Sequence, residues 1–438
     1  MYTRAVAAAT YPGSVSPIRG GDAFGEGERD VFYGREALRD ELTTLTASEG
    51  FRAGLLFGER SVGKTSLLRA GLVPHLRDHG VVALVCEDIH QPVQAFATTI
   101  GSFGLAHAPG EDPLVFLTRA VTNAVAGQQF LFIIDDVDLL CLDERAVAQT
   151  ADLFARLISR GGGRARFLMA AASDRLHLLG QLEKRTGSLF PPAARIEIPR
   201  FSTAEGSTIL ERMLGLGGVS TDAALATAVA KHLERKGAVA PALLQLYALA
   251  LRDLRIDSNA ALSKAGGARE VLLRWLSTSC KASKDERLAH RVLAELVVRA
   301  SQNEAQHDAV LVDELAGRFA TEPAVVLALV EAFAQRGILR CDGDGAQRQC
   351  RLAHPALLAP IRTLTASTQE SLRRSHELLT RRLDAKQRLT FAELRRLRAD
   401  GVAATTDAEK RLVARSVQHF RRLLMVAIAI PVAILAIM

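Results

Sequence analysis

The sequence is short of cysteine, and the few cysteines it has are poorly spaced for metal or disulfide chemistry. Five stand among 438 residues, at Cys86, Cys141, Cys280, Cys341 and Cys350. The count is odd and no pair is spaced C-x-x-C, which argues against a zinc site and a disulfide framework. Cys341 and Cys350 could face each other across a hairpin, and reduced thiols are the expected state. No secretory signal is read at the amino terminus, because the apolar stretch 5–9 is too short for the hydrophobic region of one. No internal repeat is visible, which excludes solenoids and propellers. A strong charge of either sign is also missing. The net +7, with pI near 9.4, is a mild excess carried mostly by arginine. It permits contact with nucleic acid or an anionic membrane without requiring either. Hydrophobic residues at 48% and charged residues at 24% are ordinary globular values, and the length allows two or three domains.

What is present is organised around residues 55–69, LLFGERSVGKTSLLR. Gly58, Glu59, Arg60, Ser61, Val62, Gly63, Lys64 and Thr65 complete the pattern G-x-x-x-x-G-K-[ST] of a phosphate loop. Glycines at its ends allow a tight turn and let the backbone approach an anion closely. Successive N–H groups form a nest for the β-phosphate, and the following helix aims its positive end at the same place. Lys64 supplies a mobile cation for the β- and γ-phosphates, and the Thr65 hydroxyl is placed to ligate Mg²⁺, with Ser66 next in the nucleotide cradle. Residues 53–57 read as a buried strand and 66–77 as a helix, the order that a phosphate loop requires.

Further along, 81–87 is a second apolar strand, and 130–134 is a third, ending in Asp135, Asp136 and Asp138. A central parallel strand that delivers acids to its carboxyl end is the Walker B pattern. Asp135 is expected to hold Mg²⁺ through water, and Asp136 to orient or deprotonate the attacking water. A helix over 143–159, a strand over 166–172 and a fifth strand over 195–199, closed by Pro199, follow. Helices are expected over 203–214, 222–235, 240–254 and 268–279. Three more, over 285–300, 310–318 and 323–336, lead into two short strands joined by Asp342-Gly-Asp-Gly345, and together these read as a winged helix. A long Arg-rich helix is expected over 367–398, and 410–422 is basic. Residues 423–438 carry no charge. As a helix they span about 24 Å, against an apolar slab of roughly 30 Å. They are expected to form a transmembrane segment, either continuing past the supplied end or short and helped by oligomer neighbours; a buried core helix is the other reading. The arginines and lysine just before it place the preceding domains on the cytoplasmic side of the cell inner membrane.

Val31-Phe-Tyr-Gly-Arg35-Glu36, shortly before the phosphate loop, resembles the opening box of STAND ATPases, the signal-transduction branch of AAA+-like P-loop ATPases. The preceding SPIRGGDAFGEGERDVF resembles the approach to that box in bacterial members, and Pro241-Ala-Leu-Leu-Gln-Leu resembles a feature of their lids. The resemblance implies that the segment of Arg35 packs beside the adenine of ATP or ADP, and that Pro199 contacts it. It also implies that the helices after the sheet form a lid. Leu352-Ala-His354-Pro-Ala-Leu-Leu resembles the motif whose His contacts the β-phosphate of ADP and holds the closed state. Two positions depart from the pattern. Pro355 stands where bacterial members usually have Glu, and the sensor arginine that usually precedes Asp174 is absent, leaving Arg175 or Arg166 as substitutes.

The expected fold is therefore an α/β P-loop NTPase with a parallel sheet of AAA+/STAND type, followed by a helical lid, a winged helix and a C-terminal transmembrane helix. The expected boundaries are 1–22 flexible, 23–200 NTPase, 201–282 lid, 283–362 winged helix, 363–422 linker helices and 423–438 membrane segment. The implied function is a membrane-anchored ATPase that is closed with ADP, and open and homo-oligomeric with ATP. The family's uses are signalling, programmed death and antiviral defence. Its ligand-sensing repeats are not seen after the winged helix, so the sensor is missing, supplied by another chain as a separate sensor or effector protein, or cut away. Two other readings stay open: a winged-helix ATP-dependent transcription regulator and a nucleotide-binding membrane scaffold without turnover. Against DNA as a partner, 323–336 (PAVVLALVEAFAQR) is mostly apolar with a single Arg.

Overall fold

The computed structural model describes residues 16–105, 107–302, 309–319, 321–400 and 407–437. They divide into two compact units, one within Gly13–Ser263 and one within Lys264–Met438.

The first unit is built on a five-stranded sheet. Its strands are β1 (Ala53–Gly58), β2 (Val82–Val85), β3 (Phe130–Ile134), β4 (Ala165–Ala172) and β5 (Arg195–Glu197). They lie in the order β2-β3-β4-β1-β5, and every pairing is parallel. Every residue of β3 and β4 is buried, as central strands covered on both faces must be. Alternation sends Phe130, Phe132 and Ile134 to one face and Leu131 and Ile133 to the other. The first face packs on the helices Pro92–Gly101, Pro113–Thr122 and Glu144–Arg160. The second packs on Glu36–Ala47 and on the helix that follows the phosphate loop. That helix opens at Lys64–Ser66, widens into a π-helical stretch over Leu67–Leu72 and continues as Val73–Asp78. The wider turn lies just before Pro74, which has no N–H to donate and would crowd a regular α-turn.

Beyond the sheet, a short antiparallel ribbon pairs β6 (Phe201–Ser202) with β7 (Ala238–Val239). Around it lie the helices Thr203–Leu216, Ala223–Leu233 and Pro241–Leu254. The first is started by a capping box, Ser202 with Glu205, and the second by Asp222, whose carboxylate accepts from the Leu225 N–H.

Helix Asn259–Lys264 closes the first unit, and the second begins with helix Ala268–Lys281, which carries the buried Trp275. Helix Glu286–Gln302 follows, then β8 (Val310–Leu311), helices Val312–Phe319 and Pro323–Gln335, β9 (Leu339–Asp342) and β10 (Gln349–Leu352). The strands form an antiparallel sheet in the order β8-β10-β9. The helix expected from Val310 thus starts at Val312, because Val310 and Leu311 pair with Cys350 and Gln349. Cys341 and Cys350 are direct cross-strand partners, and both are free thiols.

The long helix expected over 367–398 is two helices, Leu358–Asp384 and Phe391–Asp400. Thr390 and Glu393 form a new capping box between them: the Thr390 N–H donates to Glu393 Oε2 at 2.7 Å, and the Glu393 N–H donates to Thr390 Oγ1 at 3.2 Å.

The last helix, Asp407–Ile437, overturns the transmembrane expectation for 423–438. Among the described residues no helix is long and apolar enough to cross a membrane. The reason lies in the first half of this helix. Lys410, Arg411, Arg415, Arg421 and Arg422 occupy it, and its Leu412 packs with Leu379, Leu389 and Leu397 of the neighbouring segments. Ser416 Oγ is buried there and accepts from the Leu389 N–H at 3.0 Å. Only 423–437 is left uncharged, about 22 Å of helix against the roughly 30 Å needed. The membrane segment, the membrane as a partner and the inner-membrane placement are withdrawn with it.

Candidate functional site

The phosphate loop joins β1 to its helix at the carboxyl edge of the sheet. Gly58 is required there by close packing, since a Cβ would stand 3.0 Å from both the Ile198 carbonyl oxygen and Val62 Cγ1. The turn places Ser61 at φ 63° and Gly63 at φ 99°, and Val62 is buried beneath it. Lys64 is buried, and its ammonium donates to the carbonyl oxygens of Gly58 and Glu59, each at 3.1 Å. Burial lowers its pKa, opposed by the surrounding charges of Asp135, Asp136, Asp138 and Asp174.

The acids after β3 arrive beside it. Thr65 Oγ1 donates to Asp135 Oδ2 at 2.6 Å, and Asp135 Oδ1 accepts from the Asp136 N–H at 3.0 Å. Burial raises the Asp135 pKa against both hydrogen bonds. Asp136 sits at φ 53°, a left-handed conformation that Asp tolerates better than most residues. Burial, then the charges of Asp135 and Asp138, push its carboxyl up to about 6. Two hard oxygen donors in hydrogen-bond contact at the mouth of the loop fit Mg²⁺ chemistry. Among the described residues no cluster of three or more His, Cys, Asp or Glu gathers as a metal cage.

Other expected residues fall around this centre in different ways. Ser66 Oγ is buried and accepts from the Phe24 N–H at 3.2 Å, which seats residues 22–26 against the start of the helix. Glu59 is paired with Arg200, whose Nε donates to Glu59 Oε2 at 2.7 Å, and Arg60 lies 3.6 Å from Asp174. Pro199 accepts through its carbonyl from Arg35 Nη2 at 2.8 Å, and the same nitrogen donates to the Val62 carbonyl at 3.2 Å. Arg35 is 7% exposed as a residue, and its guanidinium also lies over the Phe201 ring at 4.0 Å. Burial pushes its pKa down to about 10, with Glu205 opposing. His354 belongs to the other compact unit. Its Nδ1 accepts from the Ala356 N–H at 3.0 Å, so in the neutral ring Nε2 carries the proton, and burial brings its pKa down to about 4.

The two candidate sensor arginines lie at opposite ends of β4. Arg166 is at its amino end, buried, and donates to the Thr46 carbonyl. About 20 Å of strand separates it from the loop. Arg175 follows the carboxyl end, and its Nη1 lies 3.9 Å from Asp138 Oδ2. Asp138, which sequence reasoning gave no role, is 2% exposed and also accepts from the Ala172 N–H at 3.2 Å. It ties the turn after β3 to the end of β4. No local signal marks this role, because the Ala172 N–H stands 34 residues further along the chain.

The sequence model of the family described as "Novel STAND NTPase 1" matches residues 17–397. The chain belongs to this family. A search of curated proteins finds no match to this STAND NTPase. Among solved structures it is similar to the ORC2 protein of Aeropyrum pernix in ADPNP–ADP complexes, with 15% identity, TM-score 0.42, and coverage of 80% of this chain and 98% of that one. It is similar as well to a Walker-type ATPase of Pyrococcus abyssi (16% identity, TM-score 0.44, 78% and 99% covered). A third is the RuvB Holliday junction branch migration motor of Thermotoga maritima (17%, TM-score 0.34, 75% and 94%). The parallel strand order and the loop geometry, rather than these scores, establish the α/β P-loop fold of the STAND NTPase.

Proposed function

We propose that this STAND NTPase is a slow, regulatory ATPase that hydrolyses ATP to ADP and phosphate and uses the bound nucleotide as a switch. The observation that carries the reading is the 2.6 Å hydrogen bond from Thr65 to Asp135 beside the buried Lys64. Backbone N–H groups of 58–65 would hold the β-phosphate, with Lys64 leaving its two carbonyl partners to reach the β- and γ-oxygens. Thr65 and Asp135 would hold Mg²⁺, which neutralises charge on the phosphates when bound. Asp136, with its raised pKa, is suited to orient the attacking water and take its proton. Arg175, held near Asp138 at the same edge, takes the place of the missing sensor arginine; Arg166 is too far away to do so.

Residues 201–282 are read as the lid, and 283–362 as a winged helix, on the strength of the helices Glu286–Gln302, Val312–Phe319 and Pro323–Gln335 with the β8-β10-β9 sheet. His354, directly after β10, would donate from Nε2 to the β-phosphate of ADP in a closed state, and ATP would favour an open, homo-oligomeric one. The test is phosphate release from Mg·ATP by the full chain, with the sedimentation coefficient measured in ADP and in ATP. Turnover together with a larger species in ATP is expected. Absence of turnover would overturn the ATPase reading, and equal sedimentation in the two nucleotides would overturn the switch.

A further inference from the structure

Residues 16–35 run between the lid helices and the phosphate loop, and they hold on to both. At one end, the Arg19 N–H donates to Gln245 Oε1 at 2.7 Å, and Gln245 Nε2 donates to the Pro17 carbonyl at 3.1 Å, on helix Pro241–Leu254. Arg212, on helix Thr203–Leu216, lies over the Tyr33 ring at 3.8 Å. Gly34, at φ 79°, lets the chain press against the same helix, since a Cβ there would stand 2.4 Å from Ile209 Cδ1. At the other end, Phe24 is bonded to Ser66, and Arg35 reaches Val62, Pro199 and Phe201 together.

Arg35 thus touches three segments: the phosphate loop, the turn leaving β5 and the strand β6 from which the lid starts. The family resemblance assigns this arginine to the nucleotide, yet its Nη2 is turned to two backbone carbonyls and its plane is stacked on a ring. We propose that Arg35 is a positioning residue that couples the phosphate loop to the lid. The physical basis is the rigidity of a planar guanidinium. When the N–H groups of the loop turn toward a phosphate, the peptide carrying the Val62 carbonyl turns with them. A buried, flat group bonded to that carbonyl passes the displacement to Pro199 and Phe201. Phe201 pairs with Val239, and Ser202 caps Thr203–Leu216, so the lid receives it directly.

The inference rests on the phosphate loop binding nucleotide as proposed above. The test measures hydrogen–deuterium exchange of Thr203–Leu216 and Pro241–Leu254 in the full chain, with and without Mg·ADP, beside calorimetric ADP affinity. In the wild type, ADP is expected to slow exchange in both helices by about tenfold or more. In Arg35→Ala, ADP affinity should fall by less than about tenfold while the ADP-induced slowing drops below about threefold. Arg35→Lys should restore part of the slowing. Phe201→Leu, which leaves the Arg35 hydrogen bonds in place, should weaken it as well and serves if Arg35→Ala does not fold. If Arg35→Ala loses ADP as fully as Lys64→Ala does, Arg35 is a ligand contact and the coupling role fails. If Arg35→Ala binds ADP and keeps the full slowing, the role fails while the phosphate-loop reading stands. A wild type that binds no ADP overturns both.

Discussion

At the amino edge of the parallel sheet the charged side chains are arginines; at the carboxyl edge they are mostly carboxylates gathered around one lysine. Just ahead of β1, Arg52 donates to the Glu49 and Phe51 carbonyls at 3.1 and 3.0 Å. Just ahead of β4, Arg164 donates to the Thr122 and Ala124 carbonyls at 2.9 and 3.1 Å, and Arg166, in the first residues of β4, donates to that of Thr46. Thr46 and Thr122 lie in the last turns of the helices Glu36–Ala47 and Pro113–Thr122. In a parallel sheet with crossover helices, every helix ends where the next strand begins, so negative helix ends and unpaired carbonyls collect at the amino edge. Positive helix starts collect at the other. The arginines answer the first field, and Asp135, Asp136 and Asp138 answer the second. What the two edges teach is that a charge bonded to helix-end carbonyls contributes to stability, whereas carboxylates gathered around a lysine and a hydroxyl are available for chemistry.

That difference can be broken or sharpened by substitution. The largest effect is expected from Asp136→Asn, which should leave Mg·ATP binding intact and lower kcat by about a hundred- to ten-thousandfold. A phosphate-release assay checks it, and wild-type turnover would remove Asp136 from the reaction. Lys64→Ala should lower ATP affinity by about a hundredfold or more, the value of a lost charge-assisted contact of about 3 kcal/mol. Calorimetry showing wild-type affinity would dissolve the carboxyl edge as a nucleotide site. At the amino edge, Arg166→Met should do the opposite: it leaves the Thr46 carbonyl without this donor, costs about 1–3 kcal/mol of stability and leaves nucleotide affinity unchanged. Urea unfolding beside calorimetry separates the two readouts. The smallest effect belongs to Arg200→Ala. Its partner Glu59 is half exposed, so the pair is worth less than about 1 kcal/mol and the melting temperature should barely move.

The phosphate loop and the acids after β3 were legible because their chemistry is contiguous: eight residues make the nest, and one apolar run delivers the carboxylates. The sheet followed from the same runs, FLFII and ARFLMAAA, which are apolar at every position but Arg166. Contacts that join distant residues were not legible. Asp138 acquires its role only when the Ala172 N–H is seen beside it. No local pattern reports that Arg35 donates to the carbonyls of Val62 and Pro199. Of the two candidate sensor arginines, Arg166 stands at the start of a parallel strand, the edge opposite the phosphate loop, and Arg175 just past its end. The two residues Val310 and Leu311 are too short a strand to be told from a helix start. Residues 423–438 have the composition of a membrane span, and only their length, weighed against the charged half-helix before them, separates the two.

Trp275 is the only tryptophan in the sequence, and it is 1% exposed on helix Ala268–Lys281 of the second compact unit. Its emission, excited beyond the absorption of the tyrosines, is therefore a native optical probe of that unit and is silent about the sheet. Followed during a thermal ramp beside far-ultraviolet circular dichroism, which sums over all helices and strands, it resolves whether the two units melt as one. Coincident curves mean a single cooperative transition, and separated curves order the units by stability without any introduced label.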